Sequence, residues 1–563
     1  MSEASEPEND GHASSEQAEV NLASETPESS TSKSPSFLRR FLIGFLITII
    51  LIAISQAIAP STDHQYANMF GVLSAMVGGI YCWFLIYMSV KKRGFGFIVP
   101  LLSVLVVGGL AASFRFDGFS GEMLPKFVSR FNEKREIRAV VETSSDDESS
   151  VESRKALTGS LGFLGTRRTG VIEKREFAIP KRSSDVVTLW NQGIGEGWSS
   201  FAVSEDRAVT MEQREKEECV TCYRLSDGVL LWIANRKARH QNALGGIGPR
   251  STPTIVGDRV YALSATGKLW CLDLQSGDEI WSQDLLALAG WDQLASEVLV
   301  TWGRAASPLI VDGLCVVPYG GPELNESTGR SLIAFDARSG EIRWTAGEDQ
   351  ISYASPALMT LGGVRQIVSV NEKTITGHEI ETGKVLWDFV WPGESNGGAN
   401  CAMAMPAGEN RFLVGKGYGG GSALVEVKAT SGGELQAEEV VASSRILKTK
   451  FTHACVDGEV AYAISNGSLE AVVFADEKRL WTQPRRSRFG QGQMLLVEDV
   501  IIGQSESGEV ALVKAQTSTY EELLRLEAMD SVTWNVPTIA GRHLLVRNDR
   551  QAICFLLPER SDP

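Results

Sequence analysis

The chain has 563 residues, a globular composition and a formal net charge of −15 at pH 7. Its length implies more than one domain, and the acidic balance argues against nucleic acid as a partner. Much of the negative charge lies in residues 1–36, where Lys33 is the only Lys or Arg. That stretch of Glu, Asp, Ser, Pro and Ala has too little apolar surface to bury a core, so it reads as a disordered tail. No basic leader precedes an apolar run in the first thirty residues, which does not fit a signal peptide.

Three apolar segments follow, at about 41–59, 69–90 and 95–114. Each approaches the roughly 20 residues that a membrane-spanning helix requires. Arg39-Arg40 precede the first and Lys91-Lys92-Arg93 separate the second from the third, while the loop 61–67 has no Lys or Arg. The positive-inside rule then predicts a cytoplasmic N-terminus and three crossings of the inner membrane, with everything after the third on the periplasmic side. Pro100 and Gly108-Gly109 lie within the third segment, and Lys126, Arg130, Lys134, Arg135 and Arg138 follow it. Without a third crossing the C-terminal region would be cytoplasmic. The domain plan is a tail over 1–36, membrane segments within 37–116, a linker over 117–180 and a repeat domain over 181–563. Acidic, Ser-rich residues around Ser144–Ser150 suit a linker. The denser stretch Phe163-Leu-Gly165-Thr-Arg167-Arg-Thr-Gly170-Val is expected to dock on the domain that follows.

A repeated phrase dominates that domain. Asp273-Leu-Gln-Ser-Gly277-Asp-Glu-Ile-Trp281, Asp336-Ala-Arg-Ser-Gly340-Glu-Ile-Arg-Trp344 and Glu379-Ile-Glu-Thr-Gly383-Lys-Val-Leu-Trp387 are its clearest copies. Ser226-Asp227-Gly228-Val-Leu-Leu-Trp232 is shorter, Ala475–Trp481 lacks the glycine, and Trp190 stands alone before them all. Most gaps between these tryptophans are roughly 40 to 50 residues, the size of one propeller blade. Each copy lies between alternating apolar runs, with a glycine that takes positive φ at no steric cost, which predicts a hairpin with a bulge. A second hairpin precedes it, as in Ser251–Leu263 and Ser307–Val317. Two hairpins make one four-stranded antiparallel blade. Blades are predicted to begin near Gly197, Pro249, Gly303, Tyr353, Ala399, Lys450, Gly490 and Thr533. The eighth holds three strands, 536–540, 543–547 and 551–557, and Val186–Trp190 supplies its fourth, which closes the ring and hides its edges. The fold expected is an all-β, eight-bladed propeller. Trp190, Trp232, Trp281, Trp344, Trp387 and Trp481 are expected on outer strands, packed against the neighbouring blade.

Eight cysteines are present, of which Cys82 falls in a membrane segment. Cys219 and Cys222 should point to opposite faces of one strand and neither bond nor chelate. Cys271, Cys315, Cys455 and Cys554 read as small core residues. No zinc framework is visible.

The blade phrase resembles the repeat of pyrroloquinoline-quinone (PQQ)-type propellers over roughly 185–559, a group that includes quinoprotein alcohol dehydrogenases and BamB. A closer resemblance is to membrane-anchored PQQ-like repeat proteins of planctomycete-type bacteria. Gly197–Val203, Gly245–Pro253, Trp391-Pro-Gly393, Ser505–Val510, Val546–Arg550 and Phe163–Val171 carry it. The dehydrogenase members imply a quinone, a Ca²⁺ held by oxygen ligands, and a carboxylate base. Alcohol-oxidising members also imply a vicinal disulfide, and this chain has no adjacent Cys-Cys and no Cys-x-x-Cys-His haem motif. Gly415-Lys-Gly417-Tyr-Gly-Gly420 matches a dinucleotide fingerprint literally but leads into a strand, so it reads as a blade loop.

The loops entering the innermost strands place Arg250, Arg304, Tyr353, Asn400, Lys450, Gln491, Trp534 and Asn535 on one rim of the channel. Such a ring suits an anionic ligand such as a quinone tricarboxylate or a glycan acid. The bland alternative is polar lining that bonds water and strand ends. Glu212, Glu323 and Asp549 are the carboxylates available as a base. No catalytic residue and no metal ligand is assigned; PQQ with Ca²⁺ is the cofactor pair the resemblance leaves open. The reading favoured is a non-enzymatic, membrane-tethered module that binds or scaffolds a protein or envelope polymer. The alternatives are a PQQ- and calcium-dependent dehydrogenase of a small alcohol or sugar, and a BamB-like role in outer-membrane protein assembly.

Overall fold

The computed structural model describes residues 36–59, 63–131, 160–322, 331–393 and 399–560. The expected tail, apart from Ser36, and the Ser-rich part of the linker lie outside those residues.

The N-terminal region forms α1 (Phe37–Ile58), α2 (His64–Lys91) and α3 (Ile98–Ser113). The first two start earlier than the apolar runs because capping residues set their ends. Ser36 Oγ accepts from the amide of Arg39, and Asp63 Oδ1 accepts from that of Gln65 at 2.8 Å. Both are long and apolar enough to cross a membrane and almost wholly unburied. α3 has 16 residues, a length of about 24 Å at the helical rise, shorter than the roughly 30 Å hydrocarbon core. α1 and α2 pack closely through small residues: a Cβ on Gly44 would strike the Tyr81 ring, and one on Gly78 would strike Thr48. Trp83 Nε1 donates to Ser103 Oγ at 2.8 Å and so ties α2 to α3. A hairpin, β1 (Phe114–Phe119) with β2 (Pro125–Ser129), follows directly.

The remainder is an eight-bladed propeller of four-stranded antiparallel blades. Innermost strands run Ala202–Ser204, Thr254–Val256, Leu309–Val311, Ala357–Leu361, Met405–Pro406, Cys455–Asp457, Gln493–Val497 and Thr538–Ala540 in blades 1 to 8. Blade 8 takes its outer strand, Val187–Gly193, from the start of the domain, with Trp190 opposite Cys554. Arg547 reinforces this closure by donating to Thr210 Oγ1 and the carbonyls of Met211, Gly195 and Gly197 in blade 1. The eight described cysteines are all free; of those in the propeller only Cys401 is not fully buried.

The repeated phrase has one structural purpose at its two ends. Each outer strand carries a bulge immediately before its tryptophan position, as at Ile280, and the bulge turns the ring towards the next blade. There the indole N–H donates to a carbonyl: Trp190 to Leu225 at 2.8 Å, Trp232 to Leu274 at 3.0 Å, Trp281 to Ala337 at 3.1 Å and Trp344 to Ile380 at 3.0 Å. The turn glycine of that neighbour lies under the ring. A Cβ on Gly228, Gly277, Gly340 or Gly383 would meet Trp190, Trp232, Trp281 or Trp344 within 3 Å. These glycines also hold φ of 73–76°, so both backbone and space demand them. Trp387 departs from the pattern: it bonds Gln366 Oε1 of its own blade and stacks on Phe412. Trp481 reaches Gln516 O and Tyr520 instead of a glycine.

Residues 160–179 are not a free linker. Ser160 O and Leu161 O accept from the amides of Val203 and Ile255, on the innermost strands of blades 1 and 2. Arg168 reaches the carbonyls of Ser307 and Pro308 beside blade 3. Cys455 Sγ of blade 6 donates to Gly170 O. β3 (Val171–Ile172) pairs in parallel with the innermost strand of blade 7. Leu164 and Phe177 join the largest apolar core, with side chains of blades 4, 5, 7 and 8. A segment that touches innermost strands all round the ring occupies its axis. The expected docking of Phe163–Val171 is therefore an internal plug.

Trp281→Ala is expected to lower unfolding free energy by about 3–5 kcal/mol, whereas Ile280→Ala beside it, 42% exposed, changes it by no more than about 0.5 kcal/mol. Chemical denaturation of the two variants checks the pair.

Candidate functional site

The loops that enter the innermost strands, and the turns between second and third strands, define the upper face of the propeller. All eight rim candidates lie on it. Two aromatic groups flank its mouth. Trp198 and Trp534 have centroids 4.5 Å apart, with Phe451 against Trp534. Trp302 packs on Tyr353 at 5.0 Å and stacks on Tyr418 at 5.7 Å. Tyr418 comes from the glycine-rich loop, where a Cβ on Gly421 would collide with Ser443 O; close backbone approach, not phosphate binding, explains those glycines.

The polar candidates point to separate places. Arg250 donates to the carbonyls of Gly245, Gly248 and Trp302, and burial pushes its pKa down to about 10. Arg304, also lowered to about 10 by burial, gives Nη1 to Tyr319 O at 2.8 Å and lies over Trp291, with Nε and Nη2 unpartnered. Asn400 donates to the carbonyls of Asn371, Glu372 and Trp391, and Asn535 to Ser199 O. These bonds brace neighbouring loops, as expected for buried amides.

Lys450, Gln491 and Trp534 meet something composition could not reveal. The start of α2 and the β1–β2 hairpin sit on this rim over blades 6 to 8. Lys450 Nζ lies 3.2 Å from Asp63 Oδ1, and donates to Gln65 Oε1 and Gly121 O at 3.1 and 3.0 Å. Gln491 lies against Gly121 with both side-chain polar atoms unpartnered. Glu506 accepts from the amide of Gly121, from Trp534 Nε1 and from the amide of Gln491. Arg488 pairs with Glu122, and Arg550 with Asp117 at 2.7 Å. No sequence signal marked Asp63, Glu122 or Glu506, because the contacts of Lys450 with Asp63, Arg488 with Glu122 and Gly121 with Glu506 each span hundreds of residues.

Of the carboxylates considered as a base, Glu212 is buried. Burial raises its pKa, but Arg214 and Arg547 outweigh that and hold it low; it accepts from Gly195, Arg214, Thr221 and Tyr223. Asp549 pairs with Arg550 and accepts from Ser531. Glu323 lies outside the described residues. Among the described residues no three His, Cys, Asp or Glu side chains converge as metal ligands. Of the cations proposed for an anionic ligand, Arg250 is spent on loop carbonyls and Lys450 on Asp63, while Arg304 keeps Nε and Nη2 without partners. A cavity of about 230 Å³ opens beside the plug, lined by Ser160, Arg167, Glu173, Lys174 and Val497.

The family model described as outer membrane protein assembly factor BamB matches residues 185–317 and 290–520. The chain belongs to this PQQ-repeat family. No curated protein matches it. Among solved structures, a europium-containing methanol dehydrogenase is similar with a TM-score of 0.52 and 11% identity, covering 71% of this chain and 98% of that one. Quinohemoprotein alcohol dehydrogenase from Comamonas testosteroni gives 0.49 and 12%, covering 73% and 82%. BamB from Moraxella catarrhalis gives 0.45 and 13%, covering 67% and 99%. At 11% identity the likeness to the first of these shows a shared fold alone. Within this BamB-type propeller fold, the plug and the capped rim are features of this chain's own contacts.

Two predictions follow from those contacts. Lys450→Met strands the Asp63 carboxylate and is expected to destabilise the detergent-solubilised protein by about 3–5 kcal/mol. Adding Asp63→Asn, which can still cap α2, recovers most of it; thermal melting of the single and double variants checks this. His453 accepts the Met403 amide at Nδ1 and has Phe163 of the plug edge-on at 5.4 Å. Burial pushes its pKa from 6.5 down to about 4, so the unfolded chain takes up the proton first. Its contribution is intact above pH 6.5 and lost as pH falls towards 4. Melting temperature should fall across that window, less steeply in His453→Gln.

Proposed function

We propose that this chain is a membrane-tethered propeller acting as a non-enzymatic binding or scaffolding module in the cell envelope. Its partner would be a protein or an envelope polymer. Three helices hold it in the inner membrane, with a cytoplasmic N-terminus and the propeller on the periplasmic side. The observation that carries this reading is the occupied channel. Where a cofactor-dependent propeller would need an open axis, this chain inserts residues 160–179 and lays its own loops on the upper rim over blades 6 to 8. That leaves outer surfaces and rim loops to meet a partner. Supporting three crossings, Ala59, Asp63 and the hairpin that follows α3 all abut the propeller, while Lys91-Lys92-Arg93 lies at the far end of α2, about 42 Å away along a 28-residue helix.

The family description favours a second reading, a part in outer-membrane protein assembly. It differs from the first only in the identity of the partner, which crosslinking in native membranes would reveal.

The test of the non-enzymatic reading is a titration of the full chain with PQQ and Ca²⁺, following tryptophan fluorescence and melting together. No saturable quenching and no Ca²⁺-dependent rise in melting temperature are expected. Saturable binding with such a rise would sink the reading in favour of a dehydrogenase.

A further inference from the structure

The upper face carries an unpartnered apolar arc opposite the docked membrane segments. An insertion between blades 2 and 3 forms α4 (Leu285–Ala289) and α5 (Gln293–Leu299). It belongs to the upper face, since Leu285 N bonds Gly267 O in the turn of blade 2 and Thr301 O accepts from Asn242. Leu294 and Val298, one helical turn apart on α5, are 70% and 69% exposed. Val390, where the blade 4 outer strand reaches the same face, is 72% exposed. These are the three most exposed large apolar side chains among the described residues of the propeller. Leu244, Leu288 and Leu299 are exposed beside them. Exposed apolar residues at the lower face, such as Val256 and Val364, are markedly less exposed, at 45% and 40%. Scattered single residues need no explanation, but the most exposed ones gathered on one face do.

The occupant follows from what leaves the same face. α1, α2 and α3 meet the propeller over blades 6 to 8 through Ala59, Asp63, Gln65 and the β1–β2 hairpin. The hairpin adds Phe116, Leu124 and Phe127, all exposed, on that side. The helices and the apolar arc therefore occupy complementary parts of one annulus.

We propose that this arc rests on the phospholipid bilayer into which the helices insert, so that Leu294, Val298 and Val390 enter the interfacial zone and hold the propeller flat against the membrane. An amphipathic surface helix binds lipid in the same way, with its apolar face at the headgroup boundary. The proposal rests on the membrane-tethered reading above.

The experiment uses the full chain in phosphatidylcholine vesicles that contain a phosphatidylcholine with a diazirine near the headgroup end of its acyl chain. A water-soluble diazirine is used in parallel, and adducts are mapped by peptide mass spectrometry. Lipid adducts are expected on α1 and α2, on the peptides holding Leu294, Val298 and Val390, and not on Val364. In Leu294→Glu the adducts on α5 should be lost while those on α1 and α2 persist. Adducts on the helices, with α5 and Val390 modified only by the aqueous reagent, overturn the proposal and leave the tether intact. Protection of the arc from both reagents also overturns it, because another protein surface would then cover it. Absence of lipid adducts even on α1 and α2 defeats the tether itself, and the proposal with it.

Discussion

The ring depends on one contact, made again at successive blade seams: an indole of one blade laid over the turn glycine of the next, its N–H bonded to a carbonyl of that same turn. The two residues constrain each other. Without the glycine the ring has no room, and without the ring the seam loses a large buried surface and a hydrogen bond. The contact also explains where the phrase fades. Blade 6 has Glu477 in place of a glycine, and blade 5 before it offers no tryptophan. Blade 7 has no glycine either, and there Trp481 uses Tyr520 and a carbonyl. Degraded copies are thus fitted to their neighbours.

With the walls set in this way, the axis becomes the place where this chain differs from an open propeller. The plug satisfies strand donors that would otherwise face water, and it places Phe163, Leu164 and Phe177 among side chains of several blades. Buried Arg168 is held only by carbonyls of one loop, so the segment is fixed by shape and backbone bonding as much as by charge. Over blades 6 to 8 the upper rim is covered through the ion pair of Lys450 with Asp63 and the Glu506 junction. Buried pairs of this type contribute little net stability but specify which surfaces meet. In this protein they fix the relation between the apolar N-terminal helices and the propeller.

The candidate rim shows how far spacing alone could reach. Counting strands located all eight residues on one face, because a propeller returns to that face once per blade. Direction and company were beyond that count. Asn400 and Asn535 turn into loops, Arg250 is surrounded by carbonyls, and Lys450 is bound to a turn nearly four hundred positions earlier. The glycine-rich loop at 415–421 was recognisable as a loop from the strand that follows it. Its task, bringing Tyr418 beneath Trp302, required knowing how blades 3 and 5 lie across the mouth.

By itself the sequence determined the blade, the number of blades, the closure through Val187–Gly193 and the apolar character of the first helices. All of these rest on local periodicity, turn chemistry and a repeat that recurs in register, each readable within a few tens of residues. Only the tertiary structure decided what fills the ring and what covers it. The plug carries no strand-like run beyond Val171–Ile172, and the partners of Lys450, Glu506 and Arg550 are set by the curvature of eight blades. Contacts between residues so distant in the chain leave no period behind, so they became legible only once the ring had closed.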